Sequence, residues 1–492
     1  MTDRAAPTGC IGWVSPDSGP VVARLFHTLL GLVFVIAFGS LRAQIAPLLG
    51  TGGLSPIAEA VAGARPGGWL ATPTIFLWWG TSDAALRGAA TVGMLAGALA
   101  LVGVWPRVGL AIATLLYLSF VSVGAPFLQF QWDSLLVECG VLALLLPRDR
   151  PQATAHLLLL FAAFKLYFES GLAKWGSPLG DWLDGSAMSY YYETAPLPTP
   201  VAWFAHHLPG WWHALESRAT LVAELVAPVL LFCGRRGRLI ALVVLTGFQA
   251  LNLATANYGF FVWLALTLHL FMLRDADLLW LYARLPGRSV WGRVLLPREE
   301  VRAPAWPRLR AGLVAAFALV YVTLSLATAR VELGAGAGRW ATALQRCAAP
   351  WHVFNAYHLF AQITRVRVEP EFAGFEAGAW RTYGMFYKPG PLDRAPPWVA
   401  PHQPRLDFML WFYGLRARRA PPGYVRRLLT TLCEEPERAQ GFFATPLLEG
   451  PSHVRVQFWR YTFTRPGEAG WWRREPAAPE LVKACAKGQA TR

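Results

Sequence analysis

Long apolar runs recur through about two-thirds of the chain, and no other feature limits its folding so tightly. A helix that crosses a bilayer needs about 20 apolar residues, within a range of roughly 17 to 25. Runs of that kind lie at 21–39, 88–104, 108–126, 131–147, 154–172, 219–233, 239–256, 258–273 and 309–328. Lipid offers the backbone no hydrogen-bond partners, so such runs become helices. The pattern predicts a polytopic α-helical membrane protein with about nine transmembrane helices. Composition agrees. Of 492 residues, 54% are hydrophobic and 15% charged, where soluble domains average about a quarter charged. A disordered chain, a disulfide scaffold and an ordinary cytosolic enzyme are excluded. The segment 73–80 is too short to span and reads as re-entrant or interfacial.

The net charge of +15 would suit nucleic acid if it were clustered on a soluble domain. Instead, much of it sits in connections between apolar runs: Arg107, Arg148 with Arg150, Arg235 with Arg236 and Arg238, and the stretch from Arg274 to Arg310. With nine spans, all four fall on the side of the N-terminus. Arginine-rich connections stay in the cytoplasm, which places the N-terminus there and the C-terminal region outside. No nucleic-acid partner is expected; membrane lipids are. Three parts follow: a cytoplasmic tail, 1–20; a helical bundle, 21–330, with an aromatic outer loop, 173–218; and a soluble C-terminal domain, 331–492. The first apolar run reads as an anchor rather than a removed signal peptide. Gly93 and Gly97 form a GxxxG step suited to close helix approach.

Several polar residues interrupt the apolar runs: Gln131, Asp133, Glu138, Lys165, Glu169, Glu224, Gln249, Asn252 and Asn257, with Lys174 at a span end. An ionised side chain at a helix centre costs about 2.5–3.5 kcal/mol on insertion scales, so each needs a partner or a wet cavity. One reading is a structural network in which Lys165 neutralises Glu169 or Glu138. The other is a buried site facing the outer compartment, with Glu138, Lys165, Glu169 and Lys174 as candidate catalytic groups. Asp133, Glu138, Glu169 and Glu224 outnumber the two lysines, so two acids lack a counter-charge within the spans. In the outer loop, His206, His207 and His213 lack the fixed spacing of metal ligands. No metal or other cofactor is expected, and the loop reads as a cap or contact surface.

Beyond residue 330 the pattern changes. Alternation of period two at 362–369, 380–388 and 453–464 predicts strands. Stretches 406–415 and 425–433 read as helices. The expected domain is α+β with an antiparallel sheet. It carries no phosphate-binding glycine loop and no hydrolase elbow. Cys347, Cys433 and Cys485 allow at most one internal disulfide, of unassigned connectivity. Cys139 and Cys233 lie in apolar runs and read as core residues.

These residues also resemble a known family, the lipase maturation factors. The matching blocks are FLQFQWDSLLVECGVLALLLP from Phe127, KLYFESGLAKW from Lys165, YYYETAPLPTPVAWFAHHLP from Tyr190, ATANYGFF from Ala254 and WHVFNAYHLFA from Trp351. In the polar region come FYKPGPLDRAPPWVAPHQPRLDFMLWFYGL from Phe386, RYTFT from Arg460 and WWRR from Trp471. The most specific block supplies Pro401, His402, Gln403, Pro404, Arg405 and Asp407; Tyr387, Lys388 and Trp411 belong to the same motif. The resemblance implies a membrane factor that helps exported proteins fold or assemble, with lipases as clients. Animal relatives reside in the endoplasmic reticulum. The abundance of Ala, Gly, Arg and Pro suggests a bacterial member in the inner membrane, its C-terminal domain periplasmic. A weaker resemblance joins Tyr167 to Tyr190 with the vitamin-K-dependent carboxylase-like membrane proteins, where a functional lysine would fall on Lys174. That likeness implies an enzyme with an intramembrane Lys/Glu site, and the spacing to Trp182 departs from it.

Overall fold

The computed structural model describes residues 19–64, 67–149, 152–284, 292, 307–334 and 338–485. Most of the N-terminal tail, Arg150 and much of the Arg274–Arg310 stretch lie outside these. Among the described residues six helices are long and apolar enough to cross a membrane: α1 (Pro20–Leu49), α3 (Asp83–Leu101), α4 (Pro106–Val123), α6 (Ala153–Trp175), α8 (Gly234–Thr255) and α10 (Pro307–Glu332). Between α1 and α3 lies the short α2 (Ile57–Ala64). The expected count of nine is thus not met by nine long helices. The run at 131–147 forms α5 (Gln131–Leu145), only 15 residues. The run at 258–273 forms α9 (Phe261–Leu268) and a 3-10 turn, His269–Met272. The run at 219–233 is broken. α7 (Gly210–Leu225) ends at Val226, and a turn Ala227–Leu230 follows. Pro228 explains the break, since it offers no N–H to continue the ladder.

Contacts at the helix ends sort them into two faces. On one, the Asp275 carboxylate accepts the N–H groups of Gly19, Val21 and Val22 at 2.9–3.0 Å and so caps α1, where the helix dipole favours an anion. There Arg107 donates to the Leu146 carbonyl at 3.1 Å and Arg235 pairs with Asp277 at 2.6 Å. The opposite face carries the aromatic loop and the C-terminal domain. Gly93 and Gly97 let α3 lie against α1, as the motif predicts. A Cβ on Gly97 would come within 3.0 Å of the Gly31 carbonyl, and one on Gly93 would collide with the Phe38 ring. The 73–80 segment ends in the short helix Phe76–Trp79, with Trp78 73% exposed.

The C-terminal domain holds a four-stranded antiparallel sheet in the order β2-β1-β3-β4. Its strands are β1 (Arg367–Glu376), β2 (Ala379–Tyr383), β3 (His453–Phe463) and β4 (Trp472–Ala484). α11 (Arg339–Ala348) precedes it; α12 (Arg405–Gly414) packs on β1 and α13 (Gly423–Glu434) on β3. Three strands match the alternating stretches, although the first starts five residues later than 362 and the second stops at Tyr383. β4 was not expected. A disulfide joins Cys433 of α13 to Cys485 just beyond β4, and Cys347 is free and exposed.

Candidate functional site

The polar residues of the spans gather on the face that carries the C-terminal domain, and their partners come from that domain and the segment leading into it. Asp133, near the start of α5, is fully buried and forms a two-pronged ion pair with Arg405 of α12, at 2.8 and 3.0 Å. Arg405 also donates to the Phe127 carbonyl at 2.6 Å and the Tyr117 hydroxyl at 3.1 Å. A planar guanidinium matches a carboxylate in this way where an ammonium cannot. Burial opposes the charge on Arg405, but Asp133 and Tyr117 outweigh it and hold its pKa above the usual value. Asp133 is therefore the socket of a latch.

The rest of the PHQPRLD block completes that latch. Gln44 of α1 accepts the Arg405 N–H at 2.9 Å and donates to the Gln403 carbonyl at 2.7 Å. Ser40 accepts the Gln403 N–H at 3.0 Å and bonds the His402 ring at 2.9 Å. Gln403 is buried against Gly259, where a Cβ would strike it; φ there is +53°, which also favours glycine. Asn257 binds the carbonyls of Leu197, Pro198 and Pro397 and accepts the N–H groups of Val399 and Ala400. Pro404 precedes α12, and Pro401 is exposed. Trp411 donates to the Thr194 carbonyl at 2.8 Å, tying α12 to the aromatic loop. Lys388 pairs at 2.5 Å with Glu369, which also meets Arg367 at 2.7 Å. Asp407 accepts the Tyr387 N–H at 3.3 Å, and burial pushes its carboxyl up to about 7 against the pull of Lys388.

A second set of contacts holds a strap, residues 352–363, across the mouth of the bundle. Glu138 pairs with Lys165 at 2.9 Å and accepts the hydroxyls of Tyr321 and Tyr357 and the amide of Asn355. Lys165 also donates to Ser325 of α10 at 3.1 Å and to the Asn355 carbonyl at 3.0 Å. Glu169 accepts the Tyr357 N–H at 2.8 Å, and Gln131 accepts that of His358 at 3.0 Å. Lys174 meets both oxygens of Glu224 at 2.7 and 2.9 Å and donates to the Leu359 carbonyl at 2.7 Å. Asp181 accepts the Ile363 N–H at 3.1 Å. Lys165 thus takes Glu138 rather than Glu169. The two acids left over by the lysines find Arg405 and a strap N–H.

Beside the Lys174–Glu224 pair lies a cavity of about 50 Å³, bordered by Tyr167, Gln249, Asn252, Tyr191 and Tyr258. It has room for water. Glu138, Lys165, Glu169 and Lys174 do not converge on it as a set: Glu138 and Lys165 face Tyr321 and Tyr357 instead. In the aromatic loop, His206 lies 3.7 Å from Glu193 and His213 3.4 Å from Glu216. Burial, then His207 and His213, lower the His206 pKa to about 4. Among the described residues no group of His, Cys, Asp and Glu could hold a metal ion.

The geometry is that of one scaffold with two fixings, a latch and a strap, and both lie in blocks of the resemblance described above. The model of the lipase maturation factor transmembrane domain matches residues 21–280, and that of the lipase maturation factor C-terminal domain matches 353–481. The chain belongs to the lipase maturation factor family. It is 31% identical to lipase maturation factor 2 of Homo sapiens, with 92% of this chain and 81% of that protein covered. It is 30% identical to lipase maturation factor 1 of Bos taurus, over 92% and 86% of the two chains. The human lipase maturation factor 1 is 31% identical over 73% of this chain and 67% of its own. No solved structure matches. The stretch Tyr167–Tyr190 falls inside the first family match, and with Lys174 bound by Glu224 the carboxylase-like reading gains no support. The Arg405–Asp133 pair was missed at sequence level; the unpaired Asp133 was its only signal.

Proposed function

We propose that this protein is a membrane-held maturation factor that helps exported proteins, lipases among them, reach their folded or assembled form. Membership of the family over nearly the whole chain carries the reading, because the relatives are named for lipase maturation. The polar groups that a membrane enzyme would have needed are engaged in docking the C-terminal domain, which suits a rigid platform for a client. The domain division at about residue 330 and a bacterial inner-membrane location with a periplasmic C-terminal domain belong to the same proposal. So do nine crossings, the shorter α5, α7 and α9 being three of them. The sorted helix ends support the alternation. The Cys433–Cys485 disulfide supports an oxidising compartment for the domain.

The test is to remove the protein from its native cell and follow an exported lipase. We expect its activity to fall while its transcript and total polypeptide hold, and the full chain to restore it. Unchanged activity of every exported lipase would sink the reading.

A further inference from the structure

A groove of about 970 Å³ runs along the seam between the C-terminal domain and the bundle. One wall is Leu54, Ser55, Glu59 and Pro126, from α2 and the connections that follow α1 and α4. The other is α12, α13 and their connection, which bring Arg416, Arg419, Arg426 and Arg427. The floor is apolar, with Met409, Phe412 and Tyr413. Arg427 pairs with Glu59 at 2.7 Å, the two side chains being 39% and 66% exposed. Among the described residues the Arg426 guanidinium donates only to the Pro421 carbonyl, at 3.3 Å. Among the described residues the exposed guanidiniums of Arg416 and Arg419 have no hydrogen-bond or ion-pair partner.

The depth of the groove is marked by tryptophan. Helix α2 turns Glu59 toward Arg427, while its Ala58 and Ala62 border a recess shared with Leu77 and Trp78. Trp78 and Trp79 are exposed beside the outer end of α4, as residues at a membrane–water interface are. The groove therefore opens at the level of the lipid headgroups, with excess positive charge above an apolar floor. An anionic phospholipid has the complementary form, a phosphate over an acyl stem, and basic side chains at that level attract it.

We propose that this groove binds the headgroup of an anionic phospholipid from the leaflet on the side of the C-terminal domain, Arg416, Arg419 and Arg426 holding its phosphate. The occupancy would brace the domain against the membrane surface beside the latch.

The full-length protein, placed in nanodiscs of equimolar phosphatidylcholine and phosphatidylglycerol, tests this by native mass spectrometry of the lipids it retains. The wild type should retain phosphatidylglycerol preferentially. The variant R416Q/R419Q/R426Q should lose that preference by about tenfold or more, and salt should weaken it in the wild type. Glu59→Gln frees Arg427 and should raise phosphatidylglycerol retention, a gain that misfolding could not produce. No preference in the wild type, or equal retention in the arginine variant, overturns the proposal. So does a variant that keeps its lipid but loses client yield, which would reassign the groove to an acidic protein segment.

Discussion

Arg405 shows how a single side chain decides the stability of the whole. Its partner Asp133 is 272 residues away and both are almost fully buried. Removing one member of such a pair leaves the other uncompensated and costs about 3–5 kcal/mol, whereas replacing both by apolar residues costs far less. Arg405→Met should therefore lower the unfolding midpoint of the detergent-solubilised protein sharply. Adding Asp133→Leu should recover most of the loss, and calorimetry of the two variants decides it. Asp407 sets a pH dependence. Burial raises its carboxyl from the ordinary 3.8 to about 7. The folded chain therefore binds a proton there that the unfolded chain has released. Its stabilising share is full below about pH 4 and is lost as pH climbs toward 7, by up to about 4 kcal/mol. Asp407→Asn should flatten that part of a stability–pH profile; an unchanged slope in the variant would count against the assignment. The sequence exposed Asp133 as an unpaired charge in a costly place, and Arg405 and Asp407 only as members of a family motif. It could not name their partners, because nothing local links residue 133 to residue 405.

At the scale of elements, helices were legible where apolar length sufficed and obscure where the chain economised. The 15 residues of α5 and the break at Pro228 cannot be weighed from hydropathy alone, since their polar ends are satisfied by groups far along the chain. β4 hid for a different reason. Its Pro476 and Pro479 break the strand signal, and prolines are admitted only because β4 lies at an edge of the sheet. The GxxxG step was legible because its meaning is purely steric. A leucine at Gly97 would meet the Gly31 carbonyl and Phe34 and push α3 off α1. Overpacking of that kind costs about 1–3 kcal/mol. Gly97→Leu should lower the midpoint accordingly, while Gly88→Leu, where a Cβ meets nothing within 4 Å, should not.

For the whole molecule, the proposed orientation is tested by the face that each free thiol occupies. Cys347 is exposed beyond α10, and Cys233, expected in the core, is instead exposed at the arginine-rich end of α8, where the run 219–233 stops. In variants that keep one or the other as the sole free thiol, an impermeant maleimide should label Cys347 in intact cells. Cys233 should react only after permeabilisation, and the reverse pattern would invert the topology. Replacing both Cys433 and Cys485 by Ser should cost about 2–5 kcal/mol, read as easier proteolysis of the domain.

The strap and the latch also bear on how the chain is made. Asp133, Glu138 and Glu169 lie in helices that leave the ribosome early, and Tyr357 and Arg405 emerge long afterwards. Until then the nascent bundle holds acids in lipid without these partners. A stop codon anywhere between residues 330 and 350 would thus do more than delete a domain. It would leave a membrane fragment permanently short of the groups that make its own interior tolerable, a natural substrate for quality-control proteases.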